Sequence, residues 1–222
     1  MIDIFSIQHF TPLLIAFFVI LLIREYVSFR KILTLKYITT PLVTCSIILT
    51  CLLALNVQGI HYFSFMIMLG LLLSLVADTL LMIEEVNLFL QGLVYFLFAH
   101  VAYVAAFSTG YVFYTWNIPL ALAILAAALL YYRAIWKARG THYIPALVYM
   151  IILGSMLFFA VTSLNNGINQ RGLFLTVGAI FFVLSDIVLG YNTFIRTIPH
   201  STVLTWSLYA PAQMFIAISC YY

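Results

Sequence analysis

Charge is what this sequence has least of. Of its 222 residues only 7% are charged, against 66% hydrophobic, where a soluble domain carries roughly 25% charged residues. That imbalance excludes an ordinary soluble fold, and no polar segment is long enough to form a separate soluble domain. The net charge of +3 does not mark a nucleic-acid partner, because the basic residues gather in two loops and not over a broad face. Cysteine is scarce too. Cys45, Cys51 and Cys220 fall in apolar segments without a CxxC spacing, which excludes a disulfide framework and a thiolate metal site. The N-terminal stretch MIDIFSIQHF has no Lys or Arg, and no small-residue cleavage site follows the apolar run. This argues against a cleaved signal peptide and for a retained first span.

What is there is apolar sequence in lengths of about 20, the run a helix needs to cross a bilayer. The pattern predicts an all-α membrane protein with eight spans, at 6–24, 37–55, 63–83, 88–108, 117–134, 143–163, 172–191 and 201–220. Residues 1–222 read as a single polytopic transmembrane domain. The punctuation is short: Arg24 to Lys36, Asn56 to Tyr62, then Glu84 to Asn87. Pro119, Pro145 and Pro199 stand near span starts, where a missing N–H is harmless. Pro41 and Pro211 lie deeper, where proline bends a helix. Eight of the nine Lys and Arg fall in odd-numbered loops or at their edges, and Arg171 alone on the other side. By the positive-inside rule both termini lie outside, with Trp116 and Trp136 at opposite interfaces.

Two carboxylates interrupt this apolar background. GLLLSLVADTLLM carries Asp78 eight residues after Gly70, and GAIFFVLSDIVLGYN carries Asp186 eight residues after Gly178; both pairs are 108 positions apart. The spacing suggests a parallel four-plus-four repeat. An ionisable residue inside a span marks a functional site by default. Both acids lie about five residues from the same-side end of their span, or roughly 7–8 Å deep at 1.5 Å per residue. No Lys or Arg falls inside the predicted spans to pair with them.

Gly70, Ser74 and Asp78 share one face of span 3, and Gly172, Thr176, Ala179, Asp186 and Gly190 a similar narrow face of span 7. Small residues at such spacing commonly serve only to pack helices; the acids do not fit that plain explanation. Span 4 offers Tyr95, His100 and Tyr103, and span 8 offers Tyr209 and Gln213. A lone embedded histidine is as often a hydrogen-bonded clasp as a ligand. His9, His61, His142 and His200 fall near interfaces on both sides, so a three-histidine zinc site is not expected. Glu84 and Glu85 stand at the mouth beside Asp78, and Asn192 six residues beyond Asp186.

The blocks GLLLSLVADTLLM…FLQGLVYFLFAHVAY and GAIFFVLSDIVLGYNTF…YAPAQ resemble the YhhN family of membrane proteins, over most of the chain. The resemblance implies lysoplasmalogenase activity and roles for Asp78, His100, Tyr103, Ser185, Asp186, Asn192, Tyr209 and Gln213. Two departures stand out. Ala77 precedes the first Asp where the family often has Gly. Thr40 precedes Pro41 where the family tends to have Lys nearby; here the nearest is Lys36. The implied substrate is a lysophospholipid whose chain is held by a vinyl ether, cleaved by water to a fatty aldehyde and glycerophosphoethanolamine or glycerophosphocholine.

Two acids suit that chemistry. One protonates the alkenyl β-carbon, and the other stabilises the oxocarbenium ion and guides water, as in glycosidases. Asp78 and Asp186 are the expected catalytic pair. Ser74, Glu84, His100, Tyr103, Ser185, Asn192, Tyr209 and Gln213 are the expected polar groups around the substrate. No metal or cofactor is expected, the partners are the lysophospholipid and membrane lipid, and the location is the cytoplasmic membrane if the source is bacterial. The rival reading is a small proton-coupled transporter using the same aspartates, but they sit off-centre and lack the broken-helix Gly/Pro pairs of that class. An intramembrane aspartyl protease would show Gly-x-Gly-Asp, which ADTLL and SDIVL do not supply. For a purely structural protein the acids would be gratuitous.

Overall fold

A chain in lipid must satisfy its backbone polar groups within each segment, so apolar runs of this length become helices. The computed structural model describes residues 4–83, 85–135, 143–165, 167 and 169–222. Glu84, Trp136, Lys137, Arg139 and His142 lie outside the described residues, as does the side chain of His9. Among the described residues there are eight α-helices and no strand: α1 (Ile4–Phe29), α2 (Leu33–Gln58), α3 (Tyr62–Met82), α4 (Phe89–Phe107), α5 (Asn117–Ile135), α6 (Tyr143–Thr162), α7 (Gln170–Phe194) and α8 (Ser201–Ile218). A 3-10 turn at Ser219–Tyr221 follows α8. All eight helices are long and apolar enough to cross a membrane.

Two boundaries differ from the sequence reading in ways that matter. The first connection is not Arg24 to Lys36 but the turn Arg30–Ile32, closed by Lys31 in the left-handed region at φ 55°. Arg24 and Lys36 are therefore helical, and Arg24 is fully buried. The expectation that no cation lies inside a span fails here. α7 also runs on to Phe194, so Asp186 lies eight residues from its end, whereas Asp78 lies four from the end of α3. Their common surroundings, and not equal distance from the helix ends, bring them together.

Six helices close a ring in which α2 packs on α3, α3 on α4, α4 on α6, α6 on α7, α7 on α8, and α8 back on α2. α1 lies outside it against α2 and α8, and α5 lies outside against α6 and α7. Burial follows this plan: 56% of the span in α8 is buried, against 6% in α5. The two spaced glycines sit where the ring is tightest. A Cβ on Gly70 would collide with the Tyr103 ring, and one on Gly178 would meet the Ala212 carbonyl of α8 at 3.0 Å. Both allow the close helix approach that small residues provide.

Candidate active site

Asp78 and Asp186 line one cavity of about 200 Å³. Its wall takes Arg24 from α1, Lys36 and Thr40 from α2, Asp78 from α3, Ser185, Asp186 and Asn192 from α7, and Ser201, Thr202, Thr205, Trp206 and Tyr209 from α8. A second cavity, about 350 Å³ and almost wholly apolar, lies among α4, α5, α6 and α7. Asp186 is in the wall of both, as are Leu81, Phe96 and Leu189. Asp186 thus stands at the partition between a polar and an apolar chamber.

The two carboxylates are held differently. Asp78 Oδ2 accepts from the Thr44 hydroxyl at 2.7 Å and from the Tyr209 hydroxyl at 2.9 Å. Behind that pair runs a buried network. Gln213 Nε2 donates to the Tyr209 hydroxyl at 3.1 Å and to Ser74 Oγ at 2.9 Å, while the Tyr103 hydroxyl donates to Gln213 Oε1 at 2.6 Å. Every arm of the Gln213 amide is therefore occupied, which fixes the ring of Tyr209 and so the donor aimed at Asp78. Asp186 Oδ2 accepts from the Tyr149 hydroxyl of α6 at 2.7 Å.

Of the sequence candidates, Asp78, Ser185, Asp186, Asn192 and Tyr209 are on the polar wall. Ser185 commits its hydroxyl to the Phe182 carbonyl at 2.9 Å. Asn192 Oδ1 accepts from the Ile198 amide at 2.9 Å and so holds the connection from α7 to α8. Ser74, Tyr103 and Gln213 are not on either cavity wall; they form the network behind it. His100 is fully buried, with Nδ1 2.6 Å from the Phe96 carbonyl and its ring edge-on to Phe182 at 4.5 Å and to Tyr149 at 5.1 Å. Because a carbonyl only accepts, Nδ1 carries the proton, and Nε2 is buried without a hydrogen-bond partner. Glu84 lies outside the described residues; its neighbour Glu85 accepts from the Tyr37 hydroxyl at 2.5 Å.

Several residues of the site are absent from the sequence candidates, among them Lys36, Thr40 and Thr205 on the polar wall, and four stand out by their contacts. Arg24 Nη1 binds Glu25 at 2.9 Å, and its guanidinium lies over the Trp206 ring at 4.1 Å. Thr44 and Tyr149 supply hydroxyls to the two aspartates, and Trp206 backs the polar wall. Thr44 and Tyr149 sit in apolar runs where a hydroxyl is commonplace. Arg24 is conspicuous in the sequence, but it falls where the apolar run ends. Among the described residues no group of three or more His, Cys, Asp or Glu is placed to hold a metal ion.

An all-helical chain with eight membrane-length helices and two hydrogen-bonded carboxylates, Asp78 buried and Asp186 half-buried, on one cavity wall defines an integral, multi-pass membrane protein with a polar site among its helices. The YhhN family pattern matches residues 35–220, and the chain belongs to that family. It is 32% identical over 157 residues to human "Lysoplasmalogenase TMEM86A", covering 69% of this chain and 64% of the relative. To the pig "Lysoplasmalogenase TMEM86B" it is 30% identical over 151 residues, covering 68% of this chain and 61% of the relative. The chain thus spans a little under two thirds of the length of these curated relatives. No solved structure matches it.

Proposed function

We propose that this protein is a lysoplasmalogenase, a hydrolase that cleaves the vinyl ether of a lysophospholipid to a fatty aldehyde and a glycerophospho-alcohol. The names of its relatives support the activity, and the observation that carries the reading is the place of Asp186 at the partition between the two chambers. A vinyl ether has the same division: hydrocarbon on its carbon side, glycerol on its oxygen side. The alkenyl chain fits the apolar chamber and the glycerol fits the polar one, which sets the double bond at the partition.

That orientation separates the roles. The β-carbon is on the chain side, so Asp186 is the group placed to protonate it. The positive charge then appears on the α-carbon and ether oxygen, on the polar side, where Asp78 lies. Asp78, already accepting two hydroxyl donors, serves as the carboxylate, since an ionised carboxylate only accepts. Water adds to the α-carbon and gives one proton to Asp78, forming a hemiacetal. The hemiacetal hydroxyl returns its proton to Asp186 as the carbon–oxygen bond to glycerol breaks, and Asp78 protonates the leaving oxygen. Both acids end as they began, and one water has been consumed. Tyr149 steadies Asp186 when it is charged; Thr44 and Tyr209 do so for Asp78. Fixed donors of this kind are a major source of catalytic stabilisation in a site shielded from water.

The polar chamber lies toward the end of the helices that carries Arg30, Lys31, Arg133 and Arg196. By the positive-inside rule this is the cytoplasmic side, with both termini outside. Moving Arg24 into α1 leaves that asymmetry in place. A C-terminal reporter active only in the cytoplasm would reverse it.

The test of the activity is direct. Purified protein in detergent or nanodiscs is given an alkenyl lysophospholipid and its ester counterpart, and free aldehyde is measured. Aldehyde from the alkenyl lipid is expected; none above a protein-free control would end the proposal.

A further inference from the structure

The polar chamber contains more than the aspartates need. Arg24 is fully buried and its Nε has no hydrogen-bond partner. Thr40 Oγ1, in a side chain also nearly inaccessible, and Thr205 Oγ1 are likewise buried without partners. All three residues line the polar chamber, with Lys36 and the first turn of α8 at Ser201 and Thr202. A buried donor left unmatched is destabilising, so three around one cavity point to a group that fills it. The group must be an acceptor rich in oxygen and negatively charged. Arg24 is offset by Glu25 through Nη1 alone, Lys36 is a second cation on the same wall, and the positive end of the 18-residue helix α8 faces the same space.

Resting on the lysoplasmalogenase reading for its location, we infer that this end of the chamber is a phosphate-binding site, with Arg24 as its anchor. One non-bridging oxygen of a phosphodiester meets Arg24 Nε. The other reaches the hydroxyls of Thr40 and Thr205. The Trp206 ring under the guanidinium holds its plane, so the donor edge is set before the ligand arrives. The same cavity wall carries Asp78 and Asp186, so a lipid anchored by its phosphate here places its glycerol oxygen beside Asp78. Arg24 binds the ligand; it takes no part in proton transfer.

Binding without turnover tests this. The probes are 1-O-hexadecyl-glycerophosphocholine, a saturated ether with no vinyl bond, and 1-O-hexadecylglycerol, which has the same chain and no phosphate. Their affinities are compared in nanodiscs by competition against a fluorescent alkyl lipid. Wild type is expected to prefer the phosphate-bearing lipid by about 10-fold or more, the usual scale for a hydrogen bond to a charged group. Arg24→Gln should bring that ratio close to one while leaving hexadecylglycerol bound as before. A wild-type ratio near one, or a parental ratio in Arg24→Gln, overturns the proposal. Should Arg24→Gln fail to fold, the near-isosteric pair Thr40→Val and Thr205→Val decides the matter: a ratio cut several-fold supports the site, and an unchanged one overturns it. Inorganic phosphate at millimolar concentration distinguishes the occupants. Displacement of the lipid by phosphate, lost in the variant, assigns the site to the free ion; no displacement assigns it to a lipid headgroup. A protein that shows the ratio yet releases no aldehyde keeps the anion site and loses the hydrolase reading. One that releases aldehyde without the ratio does the reverse.

Discussion

Aligning the halves on Gly70 with Gly178 and Asp78 with Asp186 sets α1–α4 against α5–α8, and the two chambers against each other. The polar chamber is lined chiefly by α8, α7, α3 and α2 with Arg24 of α1; the apolar one is lined chiefly by α4, α5, α6 and α7. Each holds an aspartate on the third helix of its half. The difference lies in the outer helix. α1 leans on α8 and buries Arg24 against Trp206. Its counterpart α5 packs on α6 and α7, and the space between it and α4 is the apolar chamber, lined from α5 by Ala123, Ala127 and Ala128. One outer helix thus borders a polar cavity and the other an apolar one. In the proposed mechanism these similar carboxylates take different roles from what surrounds them.

The comparison is broken most severely by removing the acids. Asp78→Asn and Asp186→Asn keep size and acceptor while deleting the exchangeable proton. General acid–base catalysis contributes typically 10²–10⁴-fold, so each should cut aldehyde release by about that factor. Neither should lower the melting temperature, since the Asn oxygen still accepts from Thr44 and Tyr209 or from Tyr149. A folded Asn variant with parental turnover would remove the two-carboxylate mechanism.

Next in size come the donors. Hydrogen bonds to charged groups contribute about 1.5–3 kcal/mol, so Tyr149→Phe and Tyr209→Phe should each slow turnover by about 10-fold or more. They should separate on stability. Tyr209 also takes the Gln213 bond, so its loss leaves a buried amide proton unpaired and lowers the melting point. Tyr149→Phe removes only the bond to Asp186 and should melt near the parent. Equal melting losses in both variants would mean that the two carboxylates are not held as differently as the chambers imply.

How much of this is legible in the sequence follows from the range of the interactions. Eight helices are legible because each needs only a local run of apolar residues. The two acids are legible because a carboxylate in such a run is conspicuous. The depth of Arg24 is not, because the apolar run breaks at Arg24–Glu25 and only the fold shows what holds the helix together through Phe29. That support is the 2.9 Å pair between them and a tryptophan 182 positions later. Thr44 and Tyr149 give no local signal, since a hydroxyl becomes a site residue only when another helix presents a carboxylate to it. The network of Ser74, Tyr103 and Gln213 illustrates the same limit. Those residues stand out in the sequence, yet only the packing of α3, α4 and α8 shows that they brace the wall instead of forming it.

A smaller effect sharpens the apolar side. Gly154 lines the apolar chamber, and a Cβ there would already meet Ile124 Cγ2 at 3.2 Å. Gly154→Leu should fill part of the slot and force the α5–α6 pair apart. Long alkenyl chains should then lose several-fold in kcat/KM relative to short ones, since each buried methylene contributes about 0.8 kcal/mol. Assays on a series of alkenyl chain lengths read this directly. A uniform loss across the series would place the chain somewhere other than between α5 and α6.

The smallest expected effect is at His100, and it bears on whether the acids work through a relay. The ring lies outside both chambers, its Nδ1 proton is committed to the Phe96 carbonyl, and Nε2 faces no donor. Of the residues that bond to the aspartates it touches Tyr149, by an edge-on ring contact. His100→Gln can keep the bond to Phe96 but not the edge-to-face contacts with Phe182 and Tyr149. Turnover should therefore fall only a few-fold, through looser positioning of Tyr149. The melting temperature should fall more clearly, because a core aromatic contact of this kind contributes about 0.5–1.5 kcal/mol beyond its buried area. Combining His100→Gln with Tyr149→Phe tests the route. If the histidine acts only through the tyrosine hydroxyl, the double variant is as active as Tyr149→Phe alone. A loss of 10²-fold or more from His100→Gln by itself would make the histidine a proton carrier and end its assignment as a positioning residue.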